Sequence, residues 1–474
     1  MGQLIISVSG LRGVVGQSLT PQVASRYAAA FVSQLSEPGP IVVTRDGRPS
    51  GPLLAAAIHS TVTSCGRNVL DGDVAATPTT GILVRQHRAA GGIQISASHN
   101  PAEYNGIKLF GPDGRVVNAS LGATIAQAYQ VQTAMEVPAA RTGQLARMTD
   151  TTSQHLKLVL ATVQCDAIRQ SRFRVLLDAN HGAGAILGRA LLESLACHVT
   201  ILGEEPHGEF AHPPEPTASN LADISDHVSN NRYDVAFCQD PDADRLAIID
   251  ERGQYIGEEY TLALTLENRL SQQSGIVVTN CSTSRMALDI AAKYNSQCVT
   301  SAVGEANVAD LMLARQAIYG GEGNGGPIDP RVGLVRDSFV GMAQILELMA
   351  LRKQSISQLV SQLPTYHIVK STIPIARENM GRLFELIEDA TLNPPEGKSS
   401  QESPYASTGT LPLFQTTISR LDGLRVDWPD RWMLIRGSNT EPIVRVVAEA
   451  RSVSDAQQLC NLAAELAAKL GDQA

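Results

Sequence analysis

Ser98, His99 and Lys108 fall in one short stretch, SASHNPAEYNGIKLF, which runs from Ser96 to Phe110 between two apolar runs. A hydroxyl, an imidazole and an amine gathered in one turn are the groups of covalent group transfer with acid–base assistance. Asn-Pro and Asn-Gly are also ordinary turn dipeptides, so the bland reading of the stretch alone is a loop. The rest of the chain decides between the two.

The strongest chemical signal is DVAFCQDPDADRLAIIDERG, in which Asp240, Asp242 and Asp244 alternate. In an extended segment alternate side chains share a face, and three carboxylates on one face repel each other unless a cation lies between them. Oxygen-only ligands select a hard divalent ion, Mg²⁺ or Ca²⁺. Glu251 stands at the twelfth position from Asp240, as in an EF-hand. Arg245 occupies the sixth position, where that loop needs Gly, and the flanks look like strands, so the EF-hand reading fails. The bland alternative is a solvated acidic turn. Arg245 beside the acidic loop could hold a phosphate oxygen.

Four further stretches could bind anions or hydroxyls. RGSNTEP gathers Arg436, Ser438, Asn439 and Thr440 in one turn with Arg445 just beyond, a combination able to cradle a phosphate. YGGEGNGGPID offers Glu322 and Asn324 among glycines that let backbone approach a ligand, and it lacks the Lys and spacing of a nucleotide P-loop. Each, taken alone, is equally an ordinary turn. Arg12 in SVSGLRGVVG, and Arg45, Asp46 and Arg48 in TRDGRPSG, sit in Gly-flanked turns rather than on helix faces. Segments that follow strand C-termini line the ligand crevice of open α/β sheets, so these residues are expected to face a ligand, the alternative being plain surface charge.

The elements that must position these groups follow from apolar patterning. GPIVVTRDGRPSGPLLAAAIHSTV, FRVLLDANHGAGAILGRALLESLACHVTIL and GIVVTNCSTSRMALDIAAKYNSQCVTS share one plan: an apolar β-branched run, a polar turn, then helical spacing. Alternating strands and helices imply βα units with largely parallel sheets, and three such openings suggest three similar α/β domains. After about Pro364, YHIVKSTIPI, PLFQTTIS, MLIRGS and PIVRVVAEA read as strands around two helices, a smaller α+β domain. LNPPEGKSSQESPYASTGT (392–410) reads as a mobile loop.

Bulk composition narrows the function. The 474 residues are 43% hydrophobic, enough for several cores, and the net charge is -9. No basic block is present to neutralise nucleic-acid phosphates, which points to a small-molecule partner. Seven scattered Cys without a CxxC pair read as reduced thiols. No signal peptide or bilayer-length apolar run is visible, so the expected setting is cytoplasmic, without membrane or nucleic-acid partners.

With ASHNP and NGIK, DPDADR, GGEGNGG and RGSNTEP in this order over nearly its whole length, the chain resembles the α-D-phosphohexomutase family. The resemblance implies three similar α/β/α domains with mixed sheets and a fourth α+β domain resembling the TATA-binding-protein fold, around one central cleft. The corresponding boundaries are 1–148, 149–255, 256–363 and 364–474, and each domain contributes one loop. It implies that Ser98 carries the transferable phosphoryl group and that Asp240, Asp242 and Asp244, with an oxygen at Ser98, ligate Mg²⁺. Arg12, His99 and Lys108 match residues near that phosphoryl group, with Lys108 a candidate proton carrier. Glu322 and Asn324 match the loop that reads sugar hydroxyls, and Arg436, Ser438, Asn439 and Thr440 the loop that holds the other phosphate.

The implied activity interconverts a hexose 6-phosphate and a hexose 1-phosphate through a phosphoserine and a hexose 1,6-bisphosphate. Glucosamine phosphate is the first expectation for substrate, with mannose or glucose phosphate as the alternative, and the enzyme is expected as a monomer or homodimer. A metal-dependent phosphatase or a non-catalytic sugar-phosphate-binding protein are remoter readings. Two positions depart from the common pattern. Pro241 stands where Gly is more frequent, and Gly326 stands where many bacterial relatives carry His. If that His assists proton transfer, Lys108 or His99 must do so here. GGEGNGG is similar to phosphoglucosamine mutase-related members of archaea and some bacteria.

Overall fold

A computed structural model of the 474-residue chain describes residues 4–7, 10–131, 137–392, 416–438 and 442–471. Most of the 392–410 segment, along with Asn439 and Thr440, lies outside the described residues. The chain forms two compact units. One comprises Met1–Thr279, Ile290–Val299 and Gly304–Gln362; the other comprises Asn280–Asp289, Thr300–Val303 and Leu363–Ala474.

The three βα openings become strand Ile41–Arg45 with helix Gly51–Ser64 and strand Arg174–Asp178 with helix Ala185–Ser194, both in the first unit, and strand Ile276–Asn280, followed by helix Met286–Lys293, whose residues are divided between the two units. The helix Pro21–Ser33 shows how local sequence sets such elements. Thr20 caps its N-terminus, Pro21 occupies the first turn where its missing N–H is harmless, and Ala24, Tyr27, Ala28 and Phe31 form one buried stripe. That stripe packs into a core with Ile41, Val43, Ile93, Ile95, Ile107 and Leu109. Val42, Leu83, Val84 and Phe110 belong to a second cluster. Val42 and Val43 are neighbours on one strand and serve different cores, so the strand reads as an unbroken apolar run.

The sheets are mixed rather than largely parallel. In the seven-stranded sheet, Ile41–Arg45 pairs in parallel with Val69–Val74 and Gly91–Ile95, whereas Tyr104–Phe110 runs antiparallel to Gly91–Ile95. The second sheet adds Leu246–Asp250 antiparallel to Val235–Gln239, and the third adds Gly326–Ile328 antiparallel to Tyr319–Glu322. The reversal has one cause in all three. A parallel connection needs a crossover, whereas a short loop can only return the chain antiparallel. Each of these hairpins carries one of the chemically suggestive loops.

The second unit contains a five-stranded antiparallel sheet in the order His367–Pro374, Ile443–Ala450, Trp432–Gly437, Leu424–Asp427, Thr417–Ser419. Helices Met380–Leu392 and Val453–Gly471 supply Leu383, Ile387, Leu459 and Ala463 to a core shared with Val426, Ile435 and Val446. The turn from Arg436 onward is again the connection of an antiparallel pair, with Gly437 opposite Val444.

Candidate active site

Ser98 sits in the loop between Gly91–Ile95 and Tyr104–Phe110 and is 1% exposed, with φ 52°. A left-handed non-Gly residue is strained by roughly 1–3 kcal/mol and persists only where its neighbours over-determine it. The Ser98 N–H donates to Ser96 Oγ at 2.8 Å, and Ser96 Oγ donates to Asp46 Oδ2 at 2.7 Å. The Arg48 guanidinium donates to four backbone carbonyls of the loop: Ser98 at 2.7 Å, Asn100 at 2.6 Å, Pro101 at 2.7 Å and Tyr104 at 3.0 Å. Its Nε donates to Asp46 Oδ2 at 3.1 Å. Arg48 is therefore the peg on which the loop hangs. The expectation that Arg48 faces a ligand is corrected, because its side chain is wholly buried against backbone. Arg45 pairs with Asp73 at 2.6 Å instead.

The acidic loop follows strand Val235–Gln239 and enters strand Leu246–Asp250. Its carboxylates converge, though not by strand alternation. The Ala243 N–H donates to the Asp240 carbonyl at 2.9 Å and Ala243 takes φ 55°, so a tight turn gathers the three side chains. One oxygen from each of Asp240, Asp242 and Asp244 lies within 4.8 Å of the others, and all three residues are buried. Ser98 Oγ donates to Asp240 Oδ2 at 2.7 Å, and the Arg245 N–H donates to Asp240 Oδ1 at 3.1 Å. Lys108 Nζ donates to Asp242 Oδ2 at 2.6 Å and to Asp244 Oδ2 at 2.8 Å, while Thr77 Oγ1 donates to Asp242 Oδ2 at 2.6 Å. Glu251 lies apart from this group and accepts from Ser355 and Ser357.

Burial, then the charges of Asp242 and Asp244, push the Asp240 carboxyl well above the ordinary carboxylate range. Burial acts the same way on Asp242 and Asp244, but Lys108 on the first and Arg336 on the second overcome it and lower both. Burial opposes the Lys108 charge, and the two carboxylates more than reverse this, so Lys108 is held as an ammonium. Burial, reinforced by Arg245 and Arg12, brings the His99 imidazole down to about 3, which leaves it neutral. Its Nδ1 is 3.2 Å from Ser98 Oγ. Arg12 donates to Asn100 Oδ1 at 3.4 Å.

The residues fit a divalent cation. Asp242 Oδ1 and Asp244 Oδ1 are buried with no hydrogen-bond partner among the described residues, although their second oxygens are fully engaged. Buried anionic oxygens left without donors, in an all-oxygen set, suit a hard ion.

Glu322 and Asn324 lie at the end of strand Tyr319–Glu322 and in its turn. Glu322 accepts from the Gly304 N–H at 3.2 Å, from Asn324 Nδ2 at 3.5 Å and from Arg336 Nη1 at 2.9 Å. Asn324 Oδ1 is buried with no partner among the described residues. Arg336 Nη2 also donates to Asp244 Oδ2 at 2.7 Å, so this arginine belongs to the site although sequence reasoning missed it. VGLVRDSF carries no motif or spacing that would have singled it out. The structure thus brings together Ser98, His99, Lys108, Arg12, the three aspartates, Arg245, Glu322 and Asn324 in the first unit.

In the second unit, Arg436 pairs with Asp422 at 3.0 Å and lies directly opposite Arg445 in the strand ladder. Like charges facing each other across a ladder are unfavourable unless an anion joins them. The Ser438 N–H donates to the Ile443 carbonyl at 2.9 Å, closing the base of the turn.

Comparison with known proteins places this arrangement. Models of the phosphoglucomutase/phosphomannomutase family match in four consecutive pieces: alpha/beta/alpha domain I at residues 3–135, domain II at 153–253, domain III at 258–366 and the C-terminal domain at 406–466. The chain is 32% identical to a phosphoglucomutase/phosphomannomutase of Thermococcus kodakarensis, covering 98% of each. It is 31% identical to a protein of Methanosarcina acetivorans named "Probable phosphoglucosamine mutase", covering 94% of this chain and 95% of the other. The crystal structure of a phosphoglucomutase/phosphomannomutase family protein from Burkholderia thailandensis shares the fold with a TM-score of 0.79 at 23% identity, covering 96% of each chain. The chain belongs to the α-D-phosphohexomutase family and is an isomerase of the phosphoryl-transferring, mutase type. Among the described residues, no helix is long and apolar enough to cross a membrane.

Proposed function

We propose that the enzyme converts glucosamine 6-phosphate to glucosamine 1-phosphate, with mannose and glucose phosphates as the alternative substrates. Glucosamine is favoured because GGEGNGG has the character of phosphoglucosamine mutase-related sequences and several relatives near 30% identity carry that name. A relative named phosphoglucomutase/phosphomannomutase at 32% keeps the alternative open. Ser98 is the phosphoryl carrier, and the observation that carries this is its 2.7 Å hydrogen bond to Asp240 inside the acidic cluster. Asp240, Asp242 and Asp244 would hold Mg²⁺ together with an oxygen at Ser98. When bound, that ion withdraws charge from a phosphoryl group and eases its transfer. A distant relative, the N-acetylphosphoglucosamine mutase of Aspergillus fumigatus, is solved with its sugar phosphate and magnesium.

The chain's own residues divide the remaining work. The Arg436 turn, with Ser438, Asn439, Thr440 and Arg445, holds the phosphate that is not reacting, and Arg245 and Arg12 steady the one that is. Glu322 and Asn324 accept hydrogen bonds from sugar hydroxyls. Phospho-Ser98 gives its phosphoryl group to the 1-hydroxyl. Lys108, an ammonium at rest, gives a proton to the departing serine oxygen and is recharged by the proton that the sugar hydroxyl loses, with His99 as a neutral hydrogen-bond partner. The 1,6-bisphosphate then turns end for end and returns its 6-phosphoryl group to the Ser98 oxygen, whose proton passes to the departing 6-oxygen to leave the 1-phosphate. The segments 1–148, 149–255, 256–363 and 364–474 each supply one loop. A cytoplasmic monomer or homodimer completes the reading.

Ser98→Ala tests the covalent role. Turnover of glucosamine 6-phosphate should fall to background while the sugar phosphate still binds, and intact-mass analysis should show one phosphoryl group on the native enzyme and none on the variant. Full activity of the variant with bisphosphate supplied overturns the role. Free phosphate in place of isomerised sugar phosphate would identify a phosphatase, and binding without turnover by the native enzyme a non-catalytic binder.

A further inference from the structure

Arg336 joins two loops of the first unit that otherwise touch different parts of the reaction. One arm of its fork, Nη2, donates to Asp244 Oδ2 at 2.7 Å; the other, Nη1, donates to Glu322 Oε2 at 2.9 Å. The side chain is nine-tenths buried, and its own backbone N–H donates to Glu305 Oε1 at 2.7 Å. A guanidinium is planar and rigid, so two carboxylates on its two arms are fixed relative to each other, which a lysine could not do.

The path of the side chain depends on one glycine. A Cβ added at Gly326 would lie 2.3 Å from Arg336 Cδ and 2.8 Å from its Cγ, so the arginine stem occupies the space that any residue other than glycine would take. Gly326 pairs with Glu322 across the hairpin. At position 326, where the common pattern has His, this chain has no side chain and the Arg336 stem fills the space. Asp244 keeps one buried oxygen without a partner while Arg336 and Lys108 hold the other, so the pair limits which oxygen Asp244 can present to a cation.

We propose that Arg336 is a positioning residue that locks Glu322 to Asp244, so that occupancy of the sugar-hydroxyl loop and of the acidic cluster depend on each other. This rests on the reading of Glu322 as a sugar ligand and of Asp244 as a metal ligand.

The test uses binding rather than turnover. Dissociation constants of glucosamine 6-phosphate and glucose 6-phosphate are measured by calorimetry on the full chain carrying Ser98→Ala, with and without Mg²⁺. Added to that background, Glu322→Gln, Arg336→Lys and Gly326→Ala should each weaken sugar-phosphate binding about tenfold or more, as expected for a lost hydrogen-bonding contact to a hydroxyl. Arg336→Lys keeps the charge and so protects folding, and Gly326→Ala changes no charge while displacing the arginine. Because Arg336 acts through Glu322, Arg336→Lys with Glu322→Gln should bind no more weakly than Glu322→Gln alone. Mg²⁺ should shift the sugar-phosphate affinity of the parent and leave that of Arg336→Lys unshifted.

Unchanged binding in Arg336→Lys, multiplying effects in the double variant, or an equal Mg²⁺ shift in both proteins overturns the inference while the reading of Glu322 stands. Unchanged binding in Glu322→Gln overturns that reading and the inference with it.

Discussion

His212 shows how a single side chain here ties stability to pH. Its Nε2 is 2.8 Å from Asp178 Oδ2, and its Nδ1 is 2.9 Å from the Pro213 carbonyl and 3.4 Å from Asn180 Nδ2; the nearer partner of each ring nitrogen is an acceptor, which favours the imidazolium. Burial works against the charge, and the Asp178 hydrogen bond and charge outweigh it, raising the pKa above 6.5. A raised native value means that the stabilisation is complete below about pH 6.5 and is lost as pH rises through the native value. His212→Gln should therefore lower the urea midpoint more at pH 6 than at pH 9; an equal loss at both would refute the imidazolium. At this scale Ser98 and the three aspartates were legible, because their types and spacing announce chemistry. Arg48 and Arg336 were not. An arginine that reaches backbone carbonyls or bridges distant carboxylates leaves no periodic trace, since its partners are set by tertiary packing.

At the scale of elements, the Ser98 loop is a strained turn stapled from behind. Arg48→Met removes five donated hydrogen bonds and leaves Asp46 buried beside an apolar side chain. Breaking a buried ion pair on one side typically destabilises by about 3–5 kcal/mol. Equilibrium denaturation should show a loss of that size, and Ser98 phosphorylation from bisphosphate should slow even well below the melting temperature. Strands and helices were largely visible as apolar runs followed by helical spacing. The direction of strand pairing rests on connection length rather than on apolar patterning: Val235–Gln239 and Leu246–Asp250 are joined by a loop too short for a crossover, which forces the antiparallel return. The strand Leu424–Asp427 was overlooked although Leu424 and Val426 alternate with Arg425 and Asp427. Four residues were too few to stand out beside the longer runs.

At the scale of the molecule, the net charge of -9 is offset at the site, where Arg12, Lys108, Arg245 and Arg336 are interleaved with Asp240, Asp242, Asp244, Glu305 and Glu322. A cation added to that cluster should stabilise the whole first unit. Ligand present at a hundredfold excess over its dissociation constant adds about 2.7 kcal/mol. Mg²⁺ should thus raise the melting temperature relative to enzyme in chelator, and Asp242→Asn should abolish the increment; an equal rise in the variant would place the ion elsewhere.

The suggestive turns in both units are spans between neighbouring antiparallel strands, each pinned at its footing by ladder hydrogen bonds. Such a span can change length and content while the scaffold beneath keeps its register. On the reading of Glu322 and Asn324 as sugar ligands, transplanting the 323–325 turn between relatives should shift the preferred sugar without disturbing the strands that carry it.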